Sequence, residues 1–202
     1  AARGGRQSPR MRDFYQDNYL DYHRRTFNVD PSSFLKPLIN CLPDGALILD
    51  VGCGSGRDML WLAQQGFHVI GLDRSLQLAE LAKANSSAPV IVADFEAFDF
   101  SRFSADAVIL IGALVHLSPE SFNAAFQNIA AAVKNGGYIL LTLKEGKGSK
   151  IDVNGRVFFY WNAEVLDEYF IGSGMHRIEF FRQVSLVDTN DIWLTYLLKK
   201  NS

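Results

Sequence analysis

Short apolar runs alternate with amphipathic stretches along most of the chain. Ala46–Val51, Phe67–Leu72, Val90–Ala93, Ala107–Ile111 and Tyr138–Leu143 are rich in Val, Ile and Leu and are bounded by Gly, Asp, Asn or Pro. Continuous apolar runs of that length suit strands buried on both faces of a parallel sheet. Between them, Asp58–Gln65, Leu76–Ala84 and Glu120–Lys134 carry helical periodicity. Ser75 and Ser118 stand where N-caps belong, Pro119 fits a first helical turn, and the Gly136-Gly137 pair is expected to end the third helix. Strands and helices in strict alternation with short connections predict a doubly wound α/β fold.

The C-terminal part follows another pattern. A further helix is expected over Asn162–Ile171, and after Gly172-Ser173-Gly174 come two strand-like runs, Arg177–Val187 and Ile192–Lys199. Only Asp188-Thr189-Asn190-Asp191 separates them, and a connection that short joins antiparallel strands. The expected sheet is therefore parallel over five strands and closes on an antiparallel hairpin, seven strands in all. No internal repeat or linker divides residues 13–202, which are read as one domain. Residues 1–12 read as a disordered basic tail, with no apolar segment behind them to make a secretory signal.

Composition narrows the function classes. The 202 residues are 48% hydrophobic, ample for a packed core, and the net charge of −2 gives no global basic field for nucleic acid. Two cysteines, Cys41 and Cys53, make neither a disulfide framework nor a zinc cluster, so no metal is expected and a reducing, cytoplasmic setting is. No apolar run approaches the ~20 residues that span a bilayer.

Chemistry enters at the exit of the first strand, Ile48-Leu49-Asp50-Val51-Gly52-Cys53-Gly54-Ser55-Gly56-Arg57-Asp58. Alternate glycines allow a tight turn and close approach of a ligand, and the following helix offers free N–H groups and its positive end. Arg57 stands where a dinucleotide fingerprint requires its last glycine, and the Lys of a Walker loop is missing. Asp73 closes the second strand, where a carboxylate can take both hydroxyls of a ribose; the alternative is a simple helix cap. Asp94 closes the third, placed to accept from an adenine amino group with the Phe95 ring over the base. All three features fall at the carboxyl ends of adjacent strands, where open α/β sheets bind their ligands.

These residues resemble the class I S-adenosylmethionine-dependent methyltransferases over nearly the whole chain. Asp50 to Asp58 is similar to the first motif, Gly71-Leu72-Asp73-Arg74-Ser75 to the second, and Ala93-Asp94-Phe95 to the adenine site. Ala107–Leu117 resembles the fourth strand and its exit, and Val133-Lys134-Asn135-Gly136-Gly137-Tyr138 the junction before the fifth. Gly54-Ser55-Gly56-Arg57-Asp58, Asn154-Gly155-Arg156-Val157-Phe158 and Trp193-Leu194 further resemble the small single-domain bacterial branch of tellurite-resistance type. The resemblance implies the Rossmann-like methyltransferase fold and S-adenosylmethionine as cofactor. It places Gly52, Cys53, Gly54 and Gly56 at the methionine end, Asp73 and Arg74 at the ribose, Asp94 and Phe95 at adenine, and Ile111 at the fourth-strand exit. Asp50 would orient the glycine loop or the cofactor's amino group, and Cys53 serves as a spacer and not a nucleophile.

For catalysis, His116 follows the fourth strand, and an ordinary imidazole pKa near ~6.5 would let it take a proton at neutral pH; the alternative is a packing histidine. Phe14 to Tyr22 resembles the lid helix of that family, expected over about 13–26 with Tyr15, Tyr19 and Tyr22 at helical spacing and Tyr22 over the site; a core or capping face is the alternative. Lys144, Glu145, Arg156 and Tyr160 form either a polar substrate wall or a solvated loop. The Asn/Asp-Pro-Pro-aromatic motif of amide and adenine methylation is absent at Ile111-Gly112-Ala113-Leu114-Val115-His116. The expectation is methyl transfer to a small-molecule acceptor by a monomer or homodimer, with nucleic acid and membrane unfavoured. A catalytically silent cofactor-binding module and an NAD-dependent oxidoreductase are the competing readings. Arg57 and the terminal hairpin speak against the latter.

Overall fold

The computed structural model describes residues 14–187 and 190–201, so the expected basic tail and the Asp188-Thr189 part of the last turn lie outside the described residues. Nine strands follow in chain order: β1 (Leu47–Val51), β2 (His68–Asp73), β3 (Val90–Val92), β4 (Ala105–Ile111), β5 (Val133–Glu145), β6 (Ser149–Ile151), β7 (Val157–Trp161), β8 (Met175–Val184) and β9 (Ile192–Lys200). The helices are α1 (Tyr19–Thr26), α2 (Ser32–Ile39), α3 (Arg57–Gln64), α4 (Leu76–Ser86), α5 (Pro119–Ala130) and α6 (Ala163–Gly172).

Seven strands lie in the order β3-β2-β1-β4-β5-β9-β8. The first five are parallel, β9 runs antiparallel to β5 with Tyr138 opposite Lys199, and β8 runs antiparallel to β9. This is the doubly wound sheet with an antiparallel end that the sequence predicts. Alternation along each strand fills two cores. Leu49, Val51, Val108, Leu110, Leu141 and Leu143 point to the side of α5 and α6, against Phe122, Phe126 and Phe170. Ile48, Ala107, Ile109 and Leu140 point to the side of α2 and α3, against Leu35, Leu38, Met59 and Leu62. By the same period of two, Asp50 shares the side of Ile48 and lies buried next to α3.

Two expectations need correction. The third predicted helix stops at Ala130, four residues before Lys134, and Val133 already pairs with Ala105. The Gly136-Gly137 pair therefore does not end a helix. It forms an irregularity in β5 before Tyr138 takes up pairing with Ala107; Gly136 has φ +75°, and a Cβ on Gly137 would lie 2.7 Å from the Asp106 carbonyl oxygen. At the start of α5, the Ser118 hydroxyl caps no backbone N–H and instead bonds the Glu120 carboxylate.

The second correction is a hairpin, β6–β7, in the stretch read as a loop. Asn154-Gly155 turns it, Gly155 taking φ +78° and Asp152 accepting from the backbone N–H groups of Asn154 and Arg156. β4 stops pairing with β5 at Ile111–Thr142, and β7 takes its place two residues on, parallel to β5 at Lys144–Tyr160 and Glu145–Trp161. The hairpin thus stands above the carboxyl end of β4.

Candidate functional site

The chain leaves β1 through the glycine loop, which is pinned to β2 by backbone bonds from Gly52 and Cys53 N–H to the Leu72 carbonyl (2.7 and 3.0 Å). Gly54 N–H donates to Asp73 Oδ2 at 2.9 Å, and Ser75 N–H donates to Asp73 Oδ1 at the same distance. Asp73 is therefore a turn-former in its own right. The Arg74 backbone N–H also bonds the carboxylate, which has lone-pair capacity left for an incoming hydroxyl. Burial raises the Asp73 pKa against the lowering effect of those N–H groups and Arg74. The Ser75 hydroxyl caps α4 as expected, at Leu78 N–H.

Gly54 has φ +53°, and a Cβ there would sit 3.1 Å from the Tyr22 ring, so the glycine leaves room for α1 to lie over the loop. Gly56 has φ +83°, and its Cβ would meet the Ala82 Cα at 2.7 Å. That glycine lets α3 start against α4 and lines neither of the two cavities described below.

Beneath the loop, Asp50 is 2% exposed and its Oδ2 has no hydrogen-bond partner. Burial first, then the nearby Asp58 charge, pushes its pKa well above the carboxylate range, with Arg57 opposing. A buried acceptor without a donor is a position suited to a cationic or N–H-bearing ligand group. Asp58 itself is held by Arg57 through two bonds of 2.7 and 2.9 Å. Cys53 is buried and its thiol pKa is pushed upward, chiefly by burial, which leaves it a spacer.

Two cavities meet here. The smaller, about 80 Å³, is lined by Gly52, Gly54, Asp73, Arg74, Phe95 and Ile111, with Leu78, Gly112, Ala113 and His116 completing it. The larger, about 240 Å³, opens towards β5, β7 and β9 past Thr142, Lys144, Arg156, Phe158 and Trp193. Gly52, Ile111, Gly112, Tyr15 and Tyr22 border both. The predicted residues Gly52, Gly54, Asp73, Arg74, Phe95, Ile111, His116 and Tyr22 are thus brought together. Asp94 lines neither cavity and accepts from Glu96 N–H at 3.1 Å at the exit of β3.

The N-terminal tyrosines form the partition. The helix expected over 13–26 is broken by a turn at Asn18, whose side-chain amide donates to the Phe14 carbonyl, and α1 resumes at Tyr19. Tyr15 and Tyr22 stack edge to face at 5.4 Å, while Tyr19 borders neither cavity. Burial pushes both phenol pKa values up.

His116 departs from the expected free base. The Val157 carbonyl accepts from its Nδ1–H at 2.6 Å, which leaves Nε2 to accept from the Tyr15 hydroxyl at 2.8 Å. Desolvation drops its pKa to about 4, so the ring is neutral at pH 7. The β7 strand that supplies Val157 is the one the sequence reading missed. The signal was present: Asn-Gly before Val157-Phe158-Phe159-Tyr160-Trp161 is a hairpin pattern.

On the larger cavity, Lys144 and Arg156 do form a wall. Lys144 Nζ pairs with Asp191 and sits 4.2 Å from the Phe158 ring centre; Arg156 pairs with Asp152 and sits 4.4 Å from Phe14 and 5.0 Å from Phe158. Glu145 turns away to Arg182, and the Tyr160 hydroxyl donates to Asp191. Phe34, Thr142, Phe158 and Trp193 complete the wall, none of them assigned to the site from sequence.

The glycine turn, the acid-ended β2 and the antiparallel end of the sheet together define a methyltransferase fold. Residues 48–137 match the family described as a methyltransferase domain. Among solved structures it is similar to the Burkholderia thailandensis 1,6-didemethyltoxoflavin-N1-methyltransferase, crystallised with 1,6-didemethyltoxoflavin and S-adenosylhomocysteine. The TM-score is 0.78 at 20% identity, covering 96% of this chain and 88% of that one. A TehB-like methyltransferase from Corynebacterium glutamicum matches with a TM-score of 0.72 at 23% identity, over 93% and 99% of the two chains. A tRNA (carboxymethyluridine(34)-5-O)-methyltransferase of Arabidopsis thaliana is 36% identical over 106 residues, 52% of this chain and 26% of that protein. The chain spans between about a sixth and about half of the length of the curated relatives it matches. Among the described residues no helix is long and apolar enough to cross a membrane, and no cluster of His, Cys, Asp or Glu fits a metal ion.

Proposed function

We propose that this chain binds S-adenosylmethionine in the smaller cavity and transfers its methyl group to a small molecule held in the larger one. The observation that carries the reading is the junction of two chemically different cavities at Ile111-Gly112, one edged by the glycine loop and Asp73, the other by aromatic rings. The residues fit the cofactor: Asp73 accepts from ribose hydroxyls, Phe95 covers the base, Gly52 and Gly54 border the methionine end, and the orphaned Asp50 Oδ2 answers its ammonium group. Asp94 completes the adenine end from the exit of β3. When bound, the cofactor supplies a methyl group on a positively charged sulfur. Tyr15 and Tyr22 exclude water and narrow the acceptor's approach, since the transfer needs alignment more than acid–base chemistry. A retained pocket without catalysis is the alternative.

A tRNA acceptor is a second reading, supported by the similarity to the Arabidopsis enzyme and weakened by the net charge of −2. Calorimetric titration checks the first step: one site per chain for S-adenosylmethionine and its demethylated product, with NAD far weaker. Methyl-labelled cofactor with a metabolite extract or with bulk tRNA then checks transfer. Preferential NAD binding, or binding with no transfer to either, would sink the proposal.

A further inference from the structure

The wall of the larger cavity is chemically lopsided. Four cations line it, Arg25, Arg57, Lys144 and Arg156, but only two carboxylates, Asp21 and Asp58. Those two are held by Arg25 and Arg57. The counter-ions of Lys144 and Arg156 are Asp191 and Asp152, and neither of these lines the cavity. Both cations lie against one ring, Phe158, with Lys144 Nζ at 4.2 Å and the Arg156 guanidinium at 5.0 Å. Lys144 is only 8% exposed and is also 5.5 Å from Trp193. The cavity therefore presents aromatic rings with Lys144 and Arg156 against them, and the counter-ions of these two cations lie behind the wall.

Among the described residues of this wall, Asp21 is a loosely paired carboxylate, 3.9 Å from Arg25 and with its side chain 68% exposed, while the polar groups deeper in the cavity are engaged. Asp58 is locked to Arg57, Thr142 Oγ1 accepts from Gly112 N–H, and the Tyr15 hydroxyl donates to His116. His116 has both ring nitrogens engaged and borders the smaller cavity alone. An acceptor that arrives already ionised needs no base from these engaged groups.

We propose that the acceptor is a planar aromatic oxyanion, an aryl carboxylate or acidic phenol bound as its conjugate base, held against Phe158 and Trp193 with its charge on Arg156 and Lys144. The inference rests on the methyltransferase reading above. The acceptor's oxygen lone pair forms the bond to the methyl carbon as the carbon–sulfur bond breaks and leaves its electron pair on sulfur. Anion and sulfonium are both neutralised and no proton moves. A water-poor cavity favours a step that annihilates opposite charges.

The test uses the full chain saturated with S-adenosylhomocysteine, whose binding is first measured alone. If that product does not bind, the methyltransferase reading itself falls. With it bound, 2-naphthoate, 2-naphthamide, 2-naphthylmethylamine and cyclohexanecarboxylate are titrated by calorimetry and by tryptophan fluorescence. Naphthoate is expected to bind at least tenfold tighter than each of the other three, and Arg156→Gln and Lys144→Gln each to erase its advantage over the amide. Methyl-labelled cofactor should then label aromatic acids or acidic phenols and leave anisole-type neutral compounds unlabelled. Equal binding of the amide, preference for the amine, no binding of any of the four, or labelling of tRNA with none of aromatic acids, would overturn the proposal. The comparison among ligands on the unaltered chain stands even if a variant fails to fold.

Discussion

The two halves of the site are built on opposite plans. The smaller cavity is framed by short stretches at the ends of β1, β2, β3 and β4 under Tyr15 and Tyr22, and its glycine loop is pinned by Gly52, Cys53 and Gly54 N–H bonds to β2. The larger is made by side chains gathered from α1, α2, β5, β7 and β9, positions as far apart as Phe14 and Trp193. Backbone shape leaves little latitude, because a misplaced Cβ collides with main chain. A side-chain wall tolerates exchange so long as the rings and charges remain.

The sharpest test of that contrast is Gly56→Ala. The substitution puts a Cβ 2.7 Å from the Ala82 Cα at a φ of +83°, and backbone cannot move aside cheaply. A loss of roughly 3 kcal/mol is expected from left-handed strain plus the clash. Urea unfolding of both proteins measures it, and an unchanged midpoint would mean the loop is not constrained as described.

Asp73→Ala comes next. It removes the carboxylate that accepts from the Gly54 and Ser75 N–H groups and that is the proposed ribose partner, each charge-assisted bond being worth about 1.5–3 kcal/mol. Affinity for S-adenosylhomocysteine should fall tenfold or more with the fold retained. A variant that binds like the parent would leave Asp73 a turn-former only.

His116 gives a pH signature where the two halves meet. Its folded pKa of about 4 lies below the unfolded value near 6.5. The unfolded chain therefore takes up a proton that the folded chain refuses, and the stabilisation, full above pH 6.5, is lost as pH falls towards 4. Tyr15, Arg156, Arg74 and Lys144 are the charged or titratable groups around it. Between pH 7 and pH 5 the chain should lose about 2 kcal/mol more than His116→Gln does. A smaller or reversed difference would show an exposed, titrating ring. By the same reasoning, turnover should carry no inflection near pH 6–7.

The smallest effect is expected at the side-chain wall. Arg156→Gln breaks an ion pair within the β6–β7 hairpin, with Asp152 four residues away and both side chains partly exposed. Global stability should change by less than about 1 kcal/mol, even where acceptor binding is lost. A large drop in melting temperature would show that the hairpin is part of the fold's foundation.

This contrast also explains how much was legible in the sequence. Asp50, the glycine loop, Asp73, Arg74 and Phe95 lie within a few residues of strand ends, so the spacing alone brings them together. The number and direction of the seven main strands followed from apolar runs and the brevity of the last turn, while their spatial order came only with the structure. What spacing does not carry is a meeting across the chain. Tyr15 reaches His116 over 101 positions, and Lys144 reaches Asp191 over 47. The low pKa of His116 was equally out of sight, because it arises from burial under a hairpin that looked like a loop. The helix overrun to Lys134 has a local cause: Ala130, Ala131 and Ala132 keep helical character in the pattern, while pairing of Val133 with Ala105 decides the matter in three dimensions.

The way β7 takes over from β4 has a further consequence. β5 runs on past the end of β4, and the vacated edge is filled by a self-contained hairpin whose register on β5 is fixed by only two residue pairs. Val157 and Phe158 enter the site from that graft, as does Arg156 at its turn. The segment from Gly146 to Tyr160 is thus an exchangeable cassette. A library varied there, between a constant β5 and a constant α6, would sample new proposed acceptors while leaving the glycine loop and the Asp73 turn unchanged. Directed evolution of altered acceptor preference in this scaffold should begin at those fifteen or so positions.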